Sequence, residues 1–247
     1  VKQGGDSWFF LTTDYAFGLA LERDTSSVVT ANGGKVLGAV RAPIGAADFA
    51  SFLLQAQNSK AKIVALANSG ADTTNAIKQA AEFGLVAGGQ KIAAMLLYIS
   101  DIHALGLPVA QGIVLTSPFY WDMNDGTRAF GERFAKQMRG ARPTMIHAGT
   151  YSAVAHYLKT VAAGADSRDG AKVVAAMKAA PTDDPLFGKG TIRPDGRKIH
   201  PMFLFEVKSP AESKGPWDYY KYRATVPADE AFRPMSEGGC PLVAAAK

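Results

Sequence analysis

The feature that most restricts what this chain can fold into is a rhythm. Over its first 115 residues, short apolar runs alternate with longer amphipathic ones. That is the pattern of repeated βαβ units, whose parallel strands are covered by helices on both faces. Residues 8–12, 35–40, 63–67, 92–97 and 112–117 read as strands. Between them apolar residues return at helical spacing: Phe49, Phe52, Leu53 and Ala56 fall at i, i+3, i+4 and i+7. The punctuation agrees. Thr13 or Asp14 can cap a helix over residues 15–31, and Asn32-Gly33-Gly34 stops it with residues that tolerate positive φ. Asp48 can cap the second helix, Asn68-Ser69-Gly70 opens a third over 71–83, and Asp101 can start a short one that Pro108 limits.

After Ser117 the pattern changes. Residues 127–139, 144–163 and 169–180 read as three helices with few strands between them. Residues 190–193, the turn Pro194-Asp195-Gly196-Arg197 and residues 202–207 then read as a hairpin. The tail from Pro210, including Trp217-Asp218-Tyr219-Tyr220, is rich in Pro, Gly and aromatics and is expected to be ordered by packing. A chain that builds one sheet, leaves it and returns crosses between two lobes. Such a topology places a cleft beside the C-terminal ends of the strands, where open α/β sheets hold small ligands.

Composition and motifs remove most other functions. An apolar share of 47% with 20% charged residues excludes a disordered chain, and no apolar run approaches the ~18 residues of a membrane span. The net charge of +5 is spread out, without the Lys/Arg block of a nucleic-acid surface, so no nucleic-acid partner is expected. One cysteine, Cys240, excludes an internal disulfide and a cysteine-based zinc site. There is no Gly-x-Gly-x-x-Gly after the first strand, and Asp14 would set a negative charge where a dinucleotide phosphate should lie. No P-loop and no Gly-x-Ser-x-Gly elbow occur, and His103, His147, His156 and His200 lack metal-ligand spacing. Asp183-Asp184, flanked by prolines, reads as a capping or solvated pair. No enzyme, cofactor or metal site is expected. The chain opens on Val-Lys-Gln-Gly-Gly and is in a buried strand by Trp8, so an upstream part is expected.

Four strand-to-helix turns remain: Thr12, Asp14, Tyr15 and Phe17; Asn68 and Ser69, with Asp72; Tyr98 and Asp101; and Tyr120 and Trp121 after Phe119. With parallel strands these turns share one sheet edge. They offer hydrogen-bonding groups and flat aromatic walls to a small, partly apolar, polar-ended molecule. Singly, each residue reads equally as a helix cap or a hydrophobic cover.

The stretch Trp8-Phe9-Phe10-Leu11-Thr12-Thr13-Asp14-Tyr15-Ala16-Phe17-Gly18 resembles the strand and turn that open the second lobe of periplasmic binding proteins of the branched-chain amino acid type, the solute receptors of ATP-driven (ABC) importers. Ala76-Ile77-Lys78-Gln79-Ala80-Ala81-Glu82-Phe83-Gly84, Tyr151-Ser152-Ala153-Val154 and Phe187-Gly188-Lys189-Gly190 resemble later landmarks. The tail Gly215-Pro216-Trp217-Asp218-Tyr219-Tyr220-Lys221, with Cys240-Pro241-Leu242, resembles a branch associated with aromatic carboxylates. The resemblance implies a two-lobed type I periplasmic binding fold, each lobe a mostly parallel sheet between helices, joined by a multi-strand hinge. Residues 1–117 would form most of the second lobe, 118–182 would complete a first lobe lying mostly upstream, and 183–247 would return to the second lobe and tail. It further implies a monomeric periplasmic receptor for a small carboxylate, with an inner-membrane permease as partner, and Cys240 bridged to a cysteine outside this sequence. Tyr15 would cover the ligand. Tyr98 falls near the acidic position that pairs with an amino acid's ammonium; with no carboxylate there and Asp101 three residues on, the match favours an aromatic acid over an amino acid. A branched-chain amino acid receptor, a ligand-sensing regulator and a Rossmann-like enzyme are the alternatives.

Overall fold

A computed structural model describes residues 1–244. The expected alternation is present: β1 (Ser7–Thr13), α1 (Ala16–Ala31), β2 (Lys35–Ala42), α2 (Ala50–Asn58), β3 (Ile63–Ala67), α3 (Ala71–Glu82), β4 (Lys91–Ala94), α4 (Ile99–Leu105), α5 (Leu107–Ala110) and β5 (Val114–Ser117). There follow α6 (Asp125–Gln137), α7 (Met145–Ala162), α8 (Gly170–Ala179), β6 (Thr182–Asp184), β7 (Gly188–Ile192), β8 (Lys198–Ile199), β9 (Met202–Val207) and β10 (Tyr220–Val226). The chain divides into two compact units: Val1–Thr116 with Phe205–Tyr222, and Ser117–Leu204 with the described residues from Arg223 onward. The sequence reading expects 183–247 to be a hairpin that returns to the lobe of residues 1–117, plus a C-terminal tail.

The sheet of the first unit runs in the order β10-β9-β5-β4-β3-β1-β2. β1 pairs in parallel with β2 on one side and β3 on the other, and β3–β4 and β4–β5 continue in parallel. The inner strands β1 and β3 are continuous apolar runs because both faces are covered: Phe10, Leu11, Val64, Ala65, Leu66 and Ala67 are fully buried. α2 seals the sheet with Phe49, Leu53 and Ala56, and α3 with Ala76, Ile77 and Ala80, the faces their apolar spacing requires.

Four details differ from the sequence reading. β4 stops at Ala94 rather than continuing to residue 97, because its partner β3 ends at Ala67 and Met95 N–H makes the last bond, to Leu66 O. β5 starts at Val114 because Gly112 has φ +79 and donates its N–H to Val207 O instead. The hairpin pairs β7 with only two residues of β8, Thr191↔Ile199 and Ile192↔Lys198. Pro201, without an N–H, follows at once, and β9 joins the seven-stranded sheet. The tail expected to be ordered by packing alone contributes a seven-residue strand, β10.

In the second unit three helices are capped by their own side chains: Asn124 Oδ1 accepts from Thr127 N–H, Thr144 Oγ1 from Ile146 N–H and Asp169 Oδ1 from Lys172 N–H. Phe119, Phe130, Ala148 and Leu186 form the core. Asp184 is no solvated turn residue. It is 9% exposed and accepts from Lys198 Nζ (2.8 Å), Ser152 Oγ (2.6 Å) and the N–H groups of Leu186 and Phe187 (2.9 and 3.0 Å). Burial pushes its carboxyl pKa up, but these bonds outweigh burial and hold it below the ordinary value. The opposite side of α7 is apolar yet uncovered: Ile146, Val154 and Leu158 are each more than half exposed.

Candidate functional site

The strand order 2-1-3-4-5 makes the β1/β3 junction a topological switch point. The chain leaves β1 toward β2 on one side and later returns to β3 on the other, opening a crevice outside the C-terminal ends of both strands. The register fixes which loops meet there, since Thr13 lies opposite Ala42 and Thr12 opposite Ala67. The turns after β1, β2 and β3 therefore emerge together.

Gly18 allows α1 to come down onto this junction. A Cβ built there would lie 2.1 Å from Thr13 O and 2.9 Å from Ala67 O, the last residues of β1 and β3. Close backbone approach of this kind is what glycine permits and a larger residue forbids. α1 begins at Tyr15 in an extended conformation and has no side-chain cap, so neither Thr13 nor Asp14 caps it.

Thr13 Oγ1 instead donates to Asp72 Oδ2 (3.0 Å), and Asp72 Oδ1 accepts from Gly45 N–H (3.1 Å). Asp72, 6% exposed, thus ties the turns after β1 and β2 to the first turn of α3. The sequence reading sets Asp72 among the cleft-lining residues of its turn, with a helix cap as the alternative. The signal was a carboxylate in the first turn of a helix near a strand-ending Thr, a pairing visible only once β1 and β3 are neighbours.

On this frame the expected residues separate by role. Tyr15 and Ser69 come together: the Tyr15 hydroxyl lies 3.1 Å from Ser69 Oγ, bridging the turns after β1 and β3. The Phe17 ring, 40% exposed, stands 5.8 Å from the Tyr15 ring. Asn68 is fully buried; its Oδ1 accepts from Thr73 Oγ1 at 2.6 Å, while Nδ2 has no acceptor among the described residues. Asp14 is exposed, its N–H bonded to Ala42 O. Thr12 is turned inward. Its hydroxyl donates to Glu22 (2.6 Å), which also pairs with Arg41 (2.7 Å).

In the next turn, Tyr98 N–H donates to Asp101 Oδ2 (2.9 Å), so Asp101 closes the first turn of α4 rather than starting it. Burial raises the Asp101 pKa against the pull of that N–H. Burial, with the Asp101 charge second, also raises that of Tyr98. His103 stacks on Trp217 (4.0 Å, 9°) and bonds Tyr219 OH through Nδ1 (2.7 Å), so the aromatic tail packs against α4. Tyr120 and Trp121 belong to the second unit, where Tyr120 is buried and Trp121 packs on the core under the Arg142 guanidinium, 4.2 Å away. Cys240 forms no disulfide among the described residues.

The turns Thr12–Phe17, Asn68–Asp72 and Tyr98–Asp101 bring rings, hydroxyls and carboxylates but no lysine or arginine. Among the described residues, no group of three or more His, Cys, Asp or Glu could hold a metal ion, and no helix is long and apolar enough to cross a membrane.

The first unit is thus an open, doubly wound α/β unit with hydroxyls and rings at its switch point. The sequence matches the periplasmic binding protein family over residues 1–216, and the chain belongs to that family. It is 30% identical over 204 residues to the Leu/Ile/Val-binding protein homolog 6 of Brucella melitensis, covering 80% of this chain and 52% of that protein. A periplasmic binding protein of Burkholderia mallei is 54% identical and superposes with a TM-score of 0.91 over 98% of this chain and 63% of its own. A branched chain amino acid ABC transporter periplasmic ligand-binding protein of Burkholderia xenovorans LB400 is 41% identical (TM-score 0.86; 98% of this chain, 64% of that one). A solute binding protein of an ABC transporter from Rhodopseudomonas palustris HaA2, solved with p-hydroxybenzoic acid, is 25% identical (TM-score 0.78; 92% and 62%). The chain spans about half the length of the curated relatives it matches and under two-thirds of these structures. The fold is the type I periplasmic binding fold, and the family and its ABC-transporter neighbours are solute-binding proteins, not enzymes.

Proposed function

We propose that this chain is part of a periplasmic solute receptor of an ABC importer that closes two hinged lobes on a small aromatic carboxylate and presents it to an inner-membrane permease. The observation that carries this reading is the Tyr15–Ser69 hydroxyl bridge across the β1/β3 switch point, with the Phe17 ring beside it. A half-site of rings and neutral hydroxyls suits an aryl group bearing a polar substituent. It lacks the cation that would hold a carboxylate, and that role falls to the first lobe. Asp101, occupied by Tyr98 N–H, is poorly placed to neutralise an ammonium, whose uncompensated burial would be costly. The p-hydroxybenzoic acid held by the Rhodopseudomonas palustris neighbour has this ring-and-hydroxyl chemistry. A ligand bound by both lobes shifts the receptor toward closure because it has more contacts in the closed state.

In this reading residues 1–117 supply most of the second lobe and 118–182 complete the first. The exposed apolar face of α7 supports a covering partner within that lobe. Cys240 bridges a cysteine outside the sequence, which suits an oxidising periplasm. The names of the Brucella and Burkholderia xenovorans relatives favour a second reading, a branched-chain amino acid as ligand.

A thermal-shift panel of branched-chain amino acids and hydroxybenzoates separates the two. Stabilisation by hydroxybenzoates alone is expected; stabilisation by leucine, isoleucine or valine alone would overturn the aromatic assignment. Tyr15→Ala should weaken binding of the stabilising ligand about tenfold or more, the scale of one aromatic contact plus one hydrogen bond, with the unliganded melting temperature nearly unchanged. An unaltered dissociation constant would remove Tyr15 from the site.

A further inference from the structure

The second unit holds a pocket, its wall including Cys240, that shares no residue with the proposed solute half-site. It opens between the β7–β8 turn and the segment around Phe232–Pro234, encloses about 460 Å³, and is lined by Arg193, Asp195, Arg197, Lys198, Phe232 and Arg233 among others. Four of those six side chains are cations and one is a carboxylate.

Two of the cations already have partners. Arg193 grips Asp195 through Nη2 and Nε (2.6 and 3.2 Å), and its Nη1 donates to Arg233 O (3.1 Å), tying the two walls together. Lys198 bonds Asp184 and Ser152. The other two, Arg197 and Arg233, form no ion pair among the described residues. Arg197 is also preoriented: its guanidinium carbon lies 5.4 Å from the centre of the Phe232 ring, which is itself braced edge-on by His200 at 5.4 Å. Burial, and after it the nearby Lys198 and Arg197 charges, push the His200 pKa down.

A guanidinium stacked on a ring keeps its N–H edges free and in plane, the geometry that takes an oxyanion through two parallel hydrogen bonds. Uncompensated positive charge in a concave site also draws anions in. The volume falls within the range of small-molecule pockets.

We propose that this pocket is an oxyanion-binding site, distinct from the switch-point half-site, in which Arg197 and Arg233 hold a phosphate or carboxylate group. The test uses the isotope-labelled full chain, titrated separately with inorganic phosphate and succinate while sodium chloride keeps the ionic strength constant. Saturable shifts in the backbone amide signals of residues 195–198 and 232–238 are expected, without movement of Tyr15 or Ser69. Saturation by phosphate alone assigns phosphate chemistry, and saturation by succinate alone assigns carboxylate chemistry. The double variant Arg197→Gln/Arg233→Gln, both positions exposed, should weaken that binding at least about tenfold while keeping the rest of the amide spectrum. Shifts that never saturate, that centre on Tyr15 and Ser69, or that survive the double variant unchanged would overturn the assignment. Failure of the aromatic-acid reading would leave all of these outcomes as they stand.

Discussion

Gly18→Ala sets two effects of opposite sign against each other. In a free helix the change is favourable by about 0.8–1.0 kcal/mol, because alanine gives up less backbone freedom than glycine. In this protein the new Cβ would lie 2.1 Å from Thr13 O and 2.9 Å from Ala67 O. Both are backbone carbonyls at strand ends, so neither can rotate aside, and α1 has to lift. Overpacking of this kind costs roughly 1–3 kcal/mol, and two rigid contacts put the site at the upper end. The balance is a destabilisation of about 1–2 kcal/mol, or roughly 2–8 °C in melting temperature for a chain of this size. Binding should weaken as well, because Thr13 O is the acceptor for Tyr15 N–H (2.9 Å) and its displacement moves the ring proposed to cover the ligand. Urea titration followed by tryptophan fluorescence gives the stability. Gly149→Ala in α7, where a Cβ meets nothing within 4 Å, serves as the control and should gain about 0.5–1 kcal/mol. If Gly18→Ala stabilises the protein as much as the control does, α1 does not approach the strand ends this closely and the account of the junction is wrong.

Two further outcomes follow from buried carboxylates. Asp184→Ala strands Lys198 in a site where that side chain is 23% exposed, so a loss of about 2–3 kcal/mol is expected at pH 7, somewhat below the range for a fully buried pair. Because the folded pKa of Asp184 is lowered, its contribution is complete above the unfolded value of about 3.9 and fades as pH falls through the folded one. The urea midpoints of wild type and variant should therefore converge between roughly pH 4 and lower pH; a gap independent of pH would contradict the ion-pair account. For Asp101 the sign reverses: its raised pKa means that ionisation in the folded state opposes stability as pH rises above about 4. Asp101→Asn, whose side-chain oxygen can still accept from Tyr98 N–H, should match wild type near pH 3 and exceed it at pH 7. Equal midpoints at both pH values would refute this.

The parts of the fold that the sequence predicts well are those set by local chemistry. The five parallel strands are largely apolar runs, and the helices between them carry apolar faces at regular spacing, so α2 buries Phe49, Leu53 and Ala56 as expected and leaves Phe52 half-buried. The misreadings occur where pairing is decided at a distance. Pro194-Asp195-Gly196-Arg197 announces a reversal but says nothing of how far the arms stay paired, and β9 leaves the hairpin for a strand far upstream in sequence. β10 was hidden behind a Pro- and Gly-rich loop, although Tyr220-Lys221-Tyr222-Arg223-Ala224-Thr225-Val226 alternates aromatic or β-branched residues with charged ones over its first four positions.

The site divides along the same line. That the turns after β1 and β3 share an edge follows from parallel strands alone, and Tyr15 and Ser69, 54 residues apart, meet there. Which polar residues face a ligand and which serve the scaffold depends on partners that no local pattern names. Thr12 and Thr13 are adjacent and of one type, yet consecutive strand residues face opposite sides: Thr12 reaches Glu22 on α1, and Thr13 reaches Asp72 on α3. Each hydroxyl donates to a carboxylate of the scaffold. Asn68 is the telling case. Thr73, five residues on in α3, fixes its amide through Oδ1, so this residue just past the strand end serves the scaffold as well.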